Sequence, residues 1–206
     1  MSGTVEGMSE SGHEPRAVLS RIEATLKGMP RASYFRVNRC LRLRVGDQWP
    51  TRQVLLDDWH MILARGGAGT YVVEGTHVPL TRGVLVFCTP GIKWQALNDP
   101  GDPVRIIPVR FDVVSQKTQR PIRSKKNKRW FACTPRDVDH VEQLFTSLHR
   151  AWSAGAPDRD GLCHATVHAL LGMLCDELRR RESGAFDARV ERVRSHIQRH
   201  PTERST

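Results

Sequence analysis

The spacing of apolar residues changes along the chain, and its first long section has the pattern of β-strands. Between about residues 33 and 114, short apolar or alternating runs are separated by turn residues at regular intervals, as in antiparallel sandwiches and barrels. Pro108 lies inside the last run and predicts an edge position or a bulge, because proline cannot donate a ladder hydrogen bond. The predicted strands cover residues 40–45, 59–64, 70–74, 76–79, 84–88, 94–97 and 105–113.

After residue 133 the apolar residues recur at three- to four-residue steps, which indicates helices. Thr134 and Pro135 predict a helix start, since a hydroxyl cap followed by proline suits the first turn. A second helix is predicted from about residue 160 to 182, closing at Gly184, and a third from Asp187 to just before Pro201. The fold class predicted is α+β, an antiparallel β-barrel followed by two to three α-helices.

The first 32 residues precede both patterns. Residues 1–14 lack periodicity and are rich in Gly, Ser and Glu, so we expect them to be disordered. Apolar residues from Ala17 to Met29 recur at helical steps and predict a short helix that ends near Gly28 and Pro30.

Composition excludes several classes of protein. With 39% hydrophobic and 26% charged residues, the chain has the composition of an ordinary soluble domain. It contains no apolar run near the ~18 residues that a membrane-spanning helix needs, and its N-terminus lacks the apolar core of a signal peptide. Its five cysteines form no CxxC pair, which fits reduced thiols and a cytoplasmic location.

The net charge of +10 is concentrated in one segment. Residues 116–131 hold seven Lys and Arg residues and no acidic residue. One interpretation is a solvated basic loop over residues 116–133, since blocks of like charge repel one another. The other is contact with phosphates, in which Trp130 and Phe131 alone could stack on bases.

Two stretches resemble AraC-type (AraC/XylS) bacterial transcription regulators. The segment ARGGAGTYVVEGTHVPLTRGVLVFCTPGIKWQAL (64–97) resembles the small cupin-like barrel of that family, with a Gly-rich hairpin, Arg82–Gly83 and Pro90–Gly91. The segment 186–206 is similar to the linker and opening helix of the family's DNA-binding domain, through Asp187, residues 190–193, Ile197 and His200–Pro201.

The resemblance implies a domain order and a function. It implies a cupin-like sensing domain at 33–115, a helical dimerisation segment at 134–184, and a linker with the start of a DNA-binding domain at 185–206. A small-molecule effector would bind inside the barrel of a homodimer. DNA would be bound only by helix-turn-helix units, which this sequence ends before supplying. A metal-independent cupin-like enzyme and a stand-alone protein that pairs with a regulator remain as alternatives.

No catalytic or metal-binding motif is present. Enzymes that resemble the cupin fold bind a metal through an HxH pair, a carboxylate and a later His shortly after a Pro–Gly turn. Here no HxH pair stands before the hairpin, and the third residue after Pro90–Gly91 is Trp94. His60 and His77 are isolated. We therefore expect no metal, no cofactor and no enzymatic activity.

The predicted effector site lies in the barrel interior. Aromatic residues commonly line ligand pockets, and an anionic group would need a basic partner. Strand residues Ile106, Ile107 and Pro108 make a highly polar ligand such as a sugar doubtful. The effector is therefore predicted to be apolar or aromatic with one anionic group, and the alternative for the aromatic residues is simple core packing. The candidate residues are Arg52, Trp59, Tyr71, Lys93 and Trp94.

One face of the second helix predicts a dimer interface. Its apolar residues recur at the spacing of an antiparallel helix–helix seam. The alternative is that this face packs on its own barrel or on the preceding helix. The residues concerned are Val167, Leu170, Met173, Leu174 and Leu178.

Overall fold

In the computed structural model, described over residues 15–27, 32–45, 52–99, 101–122, 128–155 and 157–199, three helices accompany ten strands. Side chains are described as far as residue 183. The helices are α1 (Pro15–Lys27), α2 (Val138–Ala154) and α3 (Arg159–Arg199). The strands are β1 (Ser33–Cys40), β2 (Leu43–Arg44), β3 (Val54–Leu55), β4 (Trp59–Gly66), β5 (Gly69–Val73), β6 (Thr76–Pro79), β7 (Leu85–Cys88), β8 (Lys93–Asn98), β9 (Arg105–Ser115) and β10 (Trp130–Cys133).

The strands form two antiparallel sheets that face each other. Sheet A has the order β1-β9-β4-β7-β10, with β2 also paired to β9, and sheet B has the order β3-β8-β5-β6. The register of β1 on β9 runs from Ser33 opposite Ser115 to Cys40 opposite Val109. The hairpin between β4 and β5 needs Gly67, which has a φ of 82° and whose added Cβ would lie 2.4 Å from the Pro103 carbonyl oxygen. The predicted α+β class is confirmed, but the two sheets are not closed into the predicted barrel.

Sheet A is covered on both faces, which creates two separate cores. Along β4, Met61 and Leu63 face the helices, whereas Ile62 and Ala64 face sheet B. We call these regions the helix-side core and the intersheet core. A strand covered on both sides needs apolar residues at successive positions, and β4, β7 and β9 have them.

The three helices cover the outer face of sheet A. Helix α1 contributes Val18, Leu19 and Ile22 to the helix-side core, while Val141, Phe145 and Leu148 do so from α2. Helix α2 begins later than predicted, because the Asp137 carboxylate, and not Thr134, caps it by accepting from the His140 N–H at 3.0 Å. None of these helices, as far as they are described, has the length and apolar character needed to cross a membrane.

Helix α3 corrects the predicted division into two helices. It runs without interruption from Arg159 to Arg199, through both Gly184 and Asp187. One glycine inside a helix costs only about 1 kcal/mol relative to alanine, which does not end a helix by itself. The predicted boundary at 184/185 is therefore not a break in secondary structure. The expectations for residues 1–14 and 200–206 lie outside the described residues.

Two strand predictions also need correction. Pro108 lies on β9, an internal strand, and its carbonyl oxygen accepts from the Leu41 N–H at 3.2 Å. In a strand, the carbonyl and the nitrogen of one residue point to the same side. The Pro108 nitrogen, which carries no hydrogen, therefore faces Leu41 in the gap between β1 and β2, and the sheet loses no hydrogen bond there. Residues 130–133 were predicted as the end of a basic loop but form β10, which pairs with β7 and is fully buried.

Candidate functional site

Three polar or aromatic side chains meet in the intersheet core. The rings of Tyr71 on β5 and Trp94 on β8 stack with centroids 4.8 Å apart. His60 on β4 stands nearly edge-on to both rings, and its Nδ1 lies 3.3 Å from the Tyr71 hydroxyl. The structure thus brings Tyr71 and Trp94 together inside the sandwich, as predicted, and adds His60, which sequence reasoning set aside as isolated.

Two nitrogen atoms of this group lack a hydrogen-bond partner among the described residues. They are Nε2 of His60 and Nε1 of Trp94, both buried. Burial, together with the positive charge of Arg110, lowers the pKa of His60 to about 3, so the imidazole is neutral at physiological pH. Burial also raises the pKa of the Tyr71 phenol well above its usual value. An unsatisfied buried polar atom costs about 1–3 kcal/mol.

A charged network borders this group on the same face of sheet A. Arg110 stands opposite His60 in the sheet, and its Nε donates to the Asp58 carboxylate at 2.7 Å. Asn38 donates to Asp58 at 3.2 Å and to Asp112 at 3.1 Å. Asp58, predicted to lie at a turn, is only 5% exposed, and burial raises its pKa against the opposing effects of Arg110 and Asn38. These bonds occupy the Asp58 carboxylate, which leaves it badly placed to act as a base on a ligand.

The other three predicted effector residues lie elsewhere. Trp59 belongs to the helix-side core, where its ring stacks on Phe111 at 6.0 Å and the Arg21 guanidinium lies 5.5 Å above it. Its predicted position in the barrel interior is therefore wrong, because successive residues of a strand point to opposite faces and His60 takes the inner one. Arg52 and Lys93 are exposed, so neither reaches the interior.

The helix side contains a groove of about 630 Å³ between sheet A, the start of α2 and the middle of α3. Its floor is apolar and includes Met61 and Leu85 from the sheet, Cys133 from β10, Val141 from α2, and Leu170 and Leu174 from α3. Its rim is charged and consists of Arg82, Arg136, Asp137, Asp139, Asp176, Glu177 and Arg180. The groove therefore lies above apolar side chains that are themselves almost fully buried, and charged side chains stand at its border.

Most charges of the rim are already paired. Arg82 lies 2.8 Å from Asp139, and Arg180 lies 3.0 Å from the Glu177 carboxylate. Asp137 caps α2. The Arg136 guanidinium makes no ion pair within the described part of the chain, and it stands beside the N-terminus of α2, whose first N–H groups favour a negative charge. An anionic group on a bound molecule would find its partner here.

The predicted dimer seam faces the protein's own core. Val167, Leu170, Leu174 and Leu178 are between 0% and 3% exposed and pack in the helix-side core. Met173 is partly buried against the same core. The alternative interpretation of this helix face, packing within one subunit, describes these side chains, and the predicted seam is corrected. Homodimerisation by another surface stays a prediction.

Sequence reasoning missed the groove and Arg136. The Thr134–Pro135 signal placed the start of α2 a few residues too early, and the basic and acidic residues that follow it are visible in the sequence. Whether these residues contact α3 depends on the angles at which α2 and α3 cross sheet A. The periodicity of the sequence does not determine those angles.

Comparisons with known proteins give distant likenesses of fold. No family model and no curated protein matches the sequence. An apo variant of ToxT from Vibrio cholerae strain SCE256 is similar at a TM-score of 0.42 and 13% identity, covering 71% of this chain and 57% of that chain. A cupin protein from Bacteroides fragilis has a TM-score of 0.28 and 12% identity, over 61% of this chain and 92% of its own.

Salicylate 1,2-dioxygenase from Pseudoaminobacter salicylatoxidans, as a variant, has a TM-score of 0.28 and 15% identity over 75% of this chain and 58% of its own. The chain spans little more than half the length of the ToxT chain it matches.

Proposed function

We propose that this chain is the effector-sensing region of an AraC-type transcription regulator. We further propose that its effector, an apolar molecule with one anionic group, binds in the groove between sheet A and the helices. The sequence segments that resemble the family support the first part. The groove supports the second and moves the binding site from the predicted barrel interior to the helix side.

The observation that carries the proposal is the combination of a groove over apolar side chains and Arg136, whose guanidinium makes no ion pair with any residue that the structure describes. The groove volume of about 630 Å³ falls in the range of roughly 300–1,000 Å³ that is usual for small-molecule pockets. Each Å² of a ligand's apolar surface that the groove removes from water contributes about 25 cal/mol. A charge-assisted hydrogen bond from Arg136 would then orient the ligand.

In the proposed mechanism the effector favours one arrangement of the helices. A ligand shifts a conformational equilibrium only as far as its affinity differs between the two states. The groove is bounded by sheet A on one side and by α2 and α3 on the other, so a ligand within it contacts elements that can move relative to one another. DNA contact belongs to the helix-turn-helix units that the family resemblance implies, in a homodimer.

The experiment that tests the proposal compares acids with their neutral amides. Octanoate, dodecanoate and 1-naphthaleneacetate are each titrated into the full chain by calorimetry, beside the corresponding amide. We expect at least one acid to bind, and Arg136→Gln to weaken its binding about tenfold or more while changing the amide little. Arg129→Gln, in which another arginine of the described chain is changed, serves as the control. Equal affinities of wild type and Arg136→Gln for every acid contradict the proposal.

The proposed role requires no catalysis. The one buried histidine of the intersheet core has a pKa of about 3, which makes it a weak base at neutral pH. Within the described residues, no group of three or more His, Cys, Asp or Glu side chains is arranged to hold a metal ion. Turnover of any member of a sugar or keto-acid panel by the purified chain would favour the enzyme alternative instead.

A further inference from the structure

Two charged residues of α3 connect it to the segment between β10 and α2, directly beside the groove. The Glu177 carboxylate accepts from the backbone N–H of Arg136 at 3.4 Å. Arg181 donates from Nε to Glu177 at 2.8 Å and from its terminal nitrogen to the Thr134 carbonyl oxygen at 3.1 Å. We call Glu177, Arg181 and their bonds to residues 134 and 136 the α3 clamp.

The ion pair between Glu177 and Arg181 is partly buried, whereas the bond from Arg181 to Thr134 lies at the exposed surface. The Glu177 side chain is 10% exposed and that of Arg181 24%. The Arg181 guanidinium also lies 5.8 Å over the ring of Phe131 on β10. Ionic hydrogen bonds in such surroundings are stronger and less screened by salt than pairs on an open surface, so the contacts fix how α3 sits against the chain leading into α2.

The clamp lies where α3 leaves the core. Leu178, one residue beyond Glu177, is fully buried in the helix-side core, and the helix then continues to Arg199. A change in the clamp therefore acts at the base of the long C-terminal part of α3. Because an α-helix is a stiff element, a small rotation at its base displaces its far end by a larger distance.

Resting on the proposed function, we propose that Glu177 and Arg181 are positioning residues that transmit occupancy of the groove to the C-terminal part of α3. An anion bound at Arg136 pulls on the same short segment that Glu177 and Arg181 hold through residues 134 and 136. Ligand and clamp are thus coupled, and the coupling is reciprocal: loosening the clamp changes ligand affinity by the factor by which the ligand changes the clamp.

The test measures hydrogen exchange of the α3 amides from residue 178 to 199 by mass spectrometry. It uses the full chain with and without the acid that binds most tightly among octanoate, dodecanoate and 1-naphthaleneacetate. In wild type we expect saturating ligand to change exchange over this segment about fivefold or more. In Arg181→Gln, whose altered side chain does not line the groove, ligand should still bind while the change in exchange is lost.

Two controls separate the clamp from general damage. Arg179→Gln removes the contacts of Arg179 to Glu23 on α1 and to Asp176 at the groove rim but leaves the clamp bonds in place, and it should keep both binding and the exchange response. Arg181→Lys keeps the positive charge but cannot donate to Glu177 and Thr134 from two separate nitrogens. It should therefore show part of the exchange response that Arg181→Gln loses. If Arg181→Gln does not fold, as judged by circular dichroism, Arg181→Met, which keeps an apolar side chain beside Phe131, replaces it.

The outcomes distinguish this inference from the proposed function. Absence of binding by all three acids overturns the proposed function and with it the clamp. Binding without any change in exchange in wild type overturns the clamp alone. An unchanged exchange response in Arg181→Gln likewise overturns it, whereas loss of the response with retained binding supports it.

Discussion

The two faces of sheet A bury their polar groups in opposite ways. In the intersheet core, neutral His60 and Trp94 each bury a nitrogen that has no hydrogen-bond partner among the described residues, and the charged network of Arg110 and its carboxylates lies beside them. In the helix-side core, the floor is apolar and the charged groups stand at the rim of a groove. The comparison shows that a region resembling a binding site in sequence, because it contains aromatic residues, need not be the one that offers space to a ligand.

The largest expected effect comes from placing a charge in the helix-side core. Leu174→Glu would place a carboxylate at a position that is 2% exposed and packed among apolar side chains, a change that costs several kcal/mol. We expect the variant to lose its cooperative thermal transition in circular dichroism. Sedimentation of the soluble fraction provides the second measurement. A folded variant with half the mass of wild type would instead show that Leu174 lies in a dimer interface, as first predicted, and not in the core of one subunit.

A smaller effect is expected from pH through the intersheet core. The folded-state pKa of His60, about 3, is below the unfolded value of about 6.5, so the unfolded chain binds more protons between these values. Stability contributed by neutral His60 is therefore present above pH 6.5 and lost as pH falls toward 3, by up to roughly 1.4 kcal/mol per pH unit.

The measurement is urea unfolding between pH 7 and 4.5 for wild type and two variants. His60→Phe should show a shallower fall of the unfolding free energy with acidification. His77→Phe, on the exposed side of β6, should keep the wild-type slope. If wild type and His60→Phe have the same slope, His60 is not buried as a neutral base, and the contrast between the two faces weakens.

The smallest expected effect concerns the two basic residues first assigned to the effector. Arg52 and Lys93 are exposed, so Arg52→Gln and Lys93→Gln should leave acid binding in the calorimetric assay within about twofold of wild type. A tenfold loss in either variant would return the binding site to the end of the barrel interior.

Much of the fold could be predicted because turn residues and apolar runs coincide. The strands β4 to β9 fall close to their predicted positions, since turn residues, mostly glycine, proline and aspartate, separate them from one another. Strand β10 was not predicted, because a run of four apolar residues after a basic segment is too short to show the alternation of a strand. Helix α3 was divided in error because glycine was taken as a stop.

The candidate site was harder to predict for a geometric reason. Within the run Trp59 to Ala64, both strand faces are buried, so composition does not show which face each side chain occupies. If the side chains of this strand are assigned to the wrong faces, Trp59 is placed in the intersheet core where His60 actually lies. The polar residue inside an otherwise apolar run was the available signal. Arg136 gave no such signal, because its neighbours in the groove come from three separate parts of the chain.

The pairing of β1 with β9 has a consequence for synthesis on the ribosome. Ser33 lies opposite Ser115, so β1 emerges about eighty residues before its partner is complete. Contacts between residues so distant in sequence form slowly. The β4–β7 ladder can assemble earlier, but β1 stays unpaired until β9 inserts between it and β4. A nascent chain stalled before residue 115 would therefore present two open strand edges to other chains and to chaperones.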